Sequence, residues 1–65
     1  MREFHRIPRM CLEIAYLWQK YCPDWRLGQL AFNFYRWYGK DPFYVEDEDF
    51  IELIRQFFKE NFNEQ

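Results

Sequence analysis

Sixteen of the 65 residues are aromatic. A single core built from so short a chain cannot enclose them all, so the surplus rings must lie at a surface or against a partner. A chain of this size buries only roughly 60% of the surface it exposes when unfolded, which leaves stability marginal. Small domains compensate with disulfides, metals, oligomerisation or dense aromatic packing. Only the last two routes suit this composition.

Cys11 and Cys22 are eleven positions apart. On one continuous helix they stand about 16 Å apart, too far for a disulfide, which needs Cα atoms within roughly 7 Å. Two unbridged thiols favour a reducing, cytoplasmic setting. Arg2, Glu3, His5, Arg6 and Arg9 interrupt any apolar leader, and no apolar run approaches the ~20 residues of a membrane span. The expected chain is one helical domain over residues 1–65.

Prolines and glycines divide the sequence into three helical stretches. The first runs from about Pro8 to Tyr21. Pro8 suits a first turn, where its missing N–H costs nothing. Ile7, Met10, Cys11, Ile14, Leu17, Trp18 and Tyr21 recur at steps of three and four and form the inward stripe. Pro23 ends the helix by biasing Cys22 away from helical backbone. The second helix begins after Asp24 as N-cap, with an inward stripe of Leu27, Leu30, Ala31, Phe34, Trp37 and Tyr38. Gly39 is its left-handed stop. Gly28 costs about 1 kcal/mol against alanine inside a helix, and close approach of the first helix at a tight corner is the expected reason. Asp41-Pro42 opens a longer connection in which Phe43, Tyr44 and Val45 lie extended over the helix pair. The third helix starts near Asp47 or Asp49, and Asp49 with Glu52 has capping-box spacing. Its apolar face is Phe50, Leu53, Ile54, Phe57 and Phe62. Residues 63–65 fray. The fold class is therefore all-α, a compact three-helix domain with a short first turn and a longer extended segment before the third helix.

Chemistry is poorly provided for. The chain has no serine or threonine and one histidine. His5, Cys11 and Cys22 lack the spacing of a zinc site. Cys11 falls on the apolar stripe and reads as core. Cys22, at a helix end, reaches solvent, but nothing there activates it. The acidic run 46–49 offsets the macrodipole of the third helix better than it resembles a calcium loop. The sequence thus argues against an enzyme, a cofactor, a metal or a small-molecule substrate.

Charge is uneven. Residues 1–40 carry net +4 and residues 41–65 net −6, giving −2 overall. Opposite halves packing on each other is the leading explanation, and association with a partner the alternative.

Two binding readings follow. Protein association, with a second copy or another chain, explains the surplus rings. Phe32 and Tyr35 share one flank of the second helix with Trp25 and Gly28. Ile51, Phe58 and Phe62 make a flank of the third, and the first adds Leu12 and Tyr16. The expected contact residues are Trp25, Phe32, Tyr35 and Phe58 with Arg36 at the rim, types enriched in interfaces. Tyr35→Ala or Phe58→Ala is then expected to weaken association more than folding. The alternative is a helix-turn-helix-like DNA binder. There Gln29, Asn33 and Arg36 read base edges while Arg2, Arg6 and Arg9 grip phosphates. The net negative charge weighs against it.

Residues 6–13 (RIPRMCLE), 17–30 (LWQKYCPDWRLGQL) and 41–49 (DPFYVEDED) resemble a family of very short uncharacterised proteins of bacteria and their phages. Its members share an R-I-P-R start, P-D-x-R-x-G-Q-L, then D-P-F-Y-x-E-D. The resemblance implies a stand-alone helical protein and, for a phage-encoded member, a host-directed regulator or inhibitor. It brings no catalytic residue or cofactor. The chain departs from the pattern at 32–38, where aromatics stand in place of smaller aliphatics.

Overall fold

The computed structural model describes residues 4–62, which form three helices: α1 (Arg6–Tyr21), α2 (Leu27–Tyr38) and α3 (Asp47–Asn61). The fold is all-α, as the periodicity indicates. Among the described residues no helix is long and apolar enough to cross a membrane.

α3 is the hub. It packs against both α1 and α2, which contact each other less. The core joins Cys22 of the first connection, Leu30 and Phe34 of α2, and Ile54, Phe57 and Phe58 of α3. No residue of α1 is fully buried. It lays Ile14, Leu17, Trp18 and Tyr21 half-buried along this core.

That arrangement corrects several expectations. α1 and α2 each pack chiefly on α3 and less on each other, so the parts of their apolar stripes that α3 does not reach stay bare. Cys11 is therefore exposed, and Ile7, Leu27 and Ala31 stand in solvent instead of facing inward. Cys22 is the buried thiol, and desolvation pushes its pKa up. Gly28 does not mark a close approach: a Cβ built there meets nothing within 4 Å.

Pro8 sits in the first turn of α1 as expected. At the other end the Cys22 N–H donates to the Trp18 carbonyl at 2.9 Å, and Pro23 prevents continuation. The chain then closes on itself. Trp25 N–H donates to the Cys22 carbonyl at 3.0 Å, and the Trp18 indole N–H donates to the Trp25 carbonyl at 3.0 Å. These bonds hold residues 22–26 as a turn, so Asp24 is not the N-cap. That position belongs to Arg26, whose extended backbone amide donates to Gln29 Oε1 at 2.7 Å. This is half of a capping box, because arginine has no acceptor to complete it. Gly39 ends α2 at φ 77°, the left-handed conformation the sequence calls for.

In the second connection Asp41 Oδ1 accepts the Phe43 N–H at 3.0 Å, and Val45 N–H donates to the Pro42 carbonyl at 3.0 Å. Two successive tight turns carry Phe43 and Tyr44 outward. Tyr44 is 87% exposed, and the two rings meet only edge to face at 4.8 Å. The segment therefore does not drape over the helix pair. α3 starts at Asp47, after an extended Glu46. Asp47, Glu48 and Asp49 fill its first turn, where they offset the helix dipole. Asp49 is the third helical residue, so the Asp49–Glu52 capping box does not form. The expected fraying at 63–65 lies outside the described residues.

Candidate protein-binding face

α2 separates the aromatic residues into two populations. Leu30, Phe34, Trp37 and Tyr38 face α3. Phe34 lies 5.1 Å from Phe50 and 5.8 Å, edge on, from Phe57, and the Trp37 indole N–H donates to Glu60 Oε1 at 3.0 Å. On the far side Phe32 is 59% exposed and Tyr35 52%. The Arg36 guanidinium rests over the Phe32 ring at 5.7 Å. Such a contact at an exposed site contributes about 0.5–1 kcal/mol and holds both side chains in place. Gly28, Ala31, Phe32 and Tyr35 fall at i, i+3, i+4 and i+7, so they share one face. Leu27, 65% exposed, borders it. Among the described residues no hydrogen bond or packing partner covers this apolar surface.

Two expected contact residues belong elsewhere. Phe58 is 1% exposed, stacked on Tyr21 at 5.7 Å and on Phe62 at 5.6 Å. It welds α3 to the end of α1 and is not a surface anchor. Ile51, from the same expected flank, is also buried. Trp25 is half-buried, its ring edge-on to Phe62 at 5.3 Å. The sequence missed Leu27, Phe43 and Tyr44 as surface residues. Leu27 falls on the inward period, and the loop rings are apolar enough to suggest burial. On α1, Leu12 and Tyr16 are exposed as expected, with Lys20 Nζ 5.7 Å from the Tyr16 ring centre.

Gln29, Asn33 and Arg36 of the DNA-binding alternative keep one stripe of α2, with Asn33 and Arg36 lining one depression, while other polar groups of that set are engaged within the fold. Gln29 Oε1 is occupied by the Arg26 amide. Asn33 is half-buried in a depression with Trp25, Arg36, Trp37, Phe57 and Asn61. Arg6 Nη1 pairs with Asp47 at 3.0 Å. Arg9 lines a cleft that also holds Glu13, Glu46, Asp47 and Glu48. Arg2 lies outside the described residues.

Arg6–Asp47 absorbs part of the charge asymmetry by joining the basic and acidic halves, and a second ion-pair group joins the minority charges of the two halves. Besides Arg6–Asp47, Arg55 of α3 holds Glu13 of α1 through both Nε and Nη2, and reaches Glu52 at 2.9 Å. These hydrogen bonds hold the Glu13 carboxyl below its ordinary value near 4.5, against the opposing effect of partial desolvation. A carboxylate with a depressed folded pKa contributes stability above its unfolded pKa, and that contribution disappears as pH falls through the folded value. Glu13→Gln is therefore expected to flatten, without abolishing, the fall of Tm between about pH 5 and 3. Thermal melts of both proteins across that range check it. The pair is solvent-accessible, so its effect at neutral pH is small.

Among the described residues no three His, Cys, Asp or Glu side chains converge as a metal site requires. No protein-family model matches the chain, and neither a curated protein nor a solved structure proves similar to it.

Proposed function

We propose that this is a non-enzymatic helical protein of the cytoplasm that acts by protein association, using the solvent face of α2. The observation that carries this reading is the exposure of Phe32 and Tyr35, with Arg36 laid over Phe32. Rings held at a surface by a neighbouring guanidinium are pre-ordered, so little side-chain entropy is lost on binding. Aromatic residues and arginine also dominate interface energetics. Free thiols at Cys11 and Cys22 suit a reducing compartment. A role as a regulator or inhibitor encoded by a bacterium or phage follows from the family resemblance alone.

The test pairs stability with association. Phe32→Ala and Tyr35→Ala are each expected to change unfolding free energy by no more than about 1 kcal/mol, the loss of the exposed ring–guanidinium contact included. Each is expected to weaken association at least ~10-fold, the cost of losing an interface anchor. Urea titration followed by circular dichroism reads the first quantity. Sedimentation, and affinity capture from source lysate treated with nuclease, read the second. Variants that lose stability and retain association would overturn the reading. The DNA-binding alternative predicts the opposite pattern, in which binding falls steeply with salt and depends on Arg6, Arg9 and Arg36. With Gln29 and Arg6 already engaged internally, it has less to offer a duplex.

A further inference from the structure

Nothing among the described residues requires a glycine at position 28. Its φ is not left-handed, and open space surrounds it. Alanine there would support the helix better. The residues that share its face supply a reason. From 28 to 35 the face reads small, small, large, large: Gly28, Ala31, Phe32, Tyr35. In the opposite chain direction the order of sizes inverts about a midpoint between Ala31 and Phe32.

We infer that the α2 face is occupied by a second copy of this chain, with the two α2 helices antiparallel about a twofold axis at that midpoint. This deepens the association reading and rests on it. A twofold axis there sets Tyr35 of each copy at the level of Gly28 of the other, so each ring enters the notch left by a missing side chain. Ala31 meets its own mate on one side of the seam, where its small side chain lets the helices approach. Phe32 meets its mate on the other side, ring against ring. Each interaction occurs twice, as an isologous interface demands.

The charges fit the same alignment. Asp24 precedes α2 and Lys40 follows it, both exposed. In the antiparallel pair the start of each α2 lies beside the end of the other, so Asp24 of one copy and Lys40 of the other come to the same end of the seam, and the oppositely signed helix ends lie side by side. The two Arg36 residues are displaced about 13 Å along the axis, nine residues at 1.5 Å each, and do not oppose each other. Leu27, Phe32, Tyr35 and Arg36 with the two small residues offer on the order of 500 Å² per copy, hence roughly 1,000 Å² in all, at the low end for specific complexes. The dimer is weak and reversible.

Sedimentation velocity of the full chain under reducing conditions, from about 10 μM to 1 mM, is expected to show a concentration-dependent monomer–dimer equilibrium. Gly28→Leu fills the notch from a position whose Cβ meets nothing within 4 Å in the monomer. It is expected to keep or raise Tm while weakening dimerisation at least ~10-fold. Ala31→Cys in a Cys11→Ser background is expected to form a disulfide-linked dimer on mild oxidation, because the two copies meet at that position. A chain that stays monomeric over the whole range overturns the inference. So does a dimer indifferent to Gly28→Leu. If the chain stays monomeric while Phe32→Ala and Tyr35→Ala still abolish capture of another protein, the second copy is excluded and the association reading stands. If those variants change no association at all, both fail.

Discussion

Phe57→Ala leaves most of the chain unfolded at 25 °C. Phe57 is 1% exposed, and three rings surround it: Phe34 at 5.8 Å and Trp37 at 5.7 Å from α2, and Phe58 at 5.3 Å from α3, all edge to face. Truncating a buried phenylalanine to alanine costs about 3–5 kcal/mol, the larger figure where the cavity cannot collapse. Here the walls are rigid aromatic rings on two helices, so collapse requires moving α2 as a unit. Against this, a chain of 65 residues has roughly 3–10 kcal/mol of total stability. The loss is comparable with the whole. Far-ultraviolet circular dichroism in a urea series checks it: the expected variant has lost its folded baseline or has a midpoint near zero denaturant. A variant that keeps a midpoint close to that of the parent would show that α2 is held by something other than this ring cluster.

The contrast between Phe57 and Phe32 shows how far the sequence can be read. Both are phenylalanines on amphipathic helices, and both helices were legible. Pro8, Pro23 and Gly39 each punctuate the chain by a local backbone constraint, and local constraints survive into the fold. Periodicity further identifies which stripe of each helix is apolar. It does not identify which neighbour covers that stripe. With sixteen rings in the chain, the apolar stripes are wider than one hub helix can cover, and the choice of which edges stay bare is made by packing. Phe32 and Tyr35 were recognisable because they lie far from the inward stripe of α2. Leu27, Ala31, Ile7 and Cys11 were not: Ala31 and Cys11 lie on the edges of such stripes, and Leu27 and Ile7 lie within them but in the first turns of their helices, away from the core. Asp24 misled for another reason: a good capping residue is a local preference, and the bond from the Trp18 indole to the Trp25 carbonyl overrides it.

Phe58 shows the same limit in the opposite direction, and its substitution is the other large effect. The sequence places it on a flank with Ile51 and Phe62, off the apolar face of α3, where it reads as an interface anchor. α3, however, serves two partners. Phe50 and Phe57 pack on Phe34 of α2, and Phe58 stacks on Tyr21 of α1. A helix that supports neighbours on two sides needs two apolar faces, and the face toward α1 reads as surplus until that helix is in place. Phe58→Ala is therefore expected to cost about 3–5 kcal/mol, while Phe58→Leu, nearer in volume, costs about 1–1.5 kcal/mol. The site of the damage differs from that of Phe57→Ala. α1 has no fully buried residue of its own and depends on Tyr21, Leu17 and Trp18 lying against this cluster. Hydrogen exchange of Phe58→Leu is expected to show amides of residues 14–21 losing protection before those of α2, because α1 detaches at lower free energy than the α2–α3 pair. Unchanged protection in α1, together with lost self-association, would return Phe58 to the interface and make Tyr21 a surface ring.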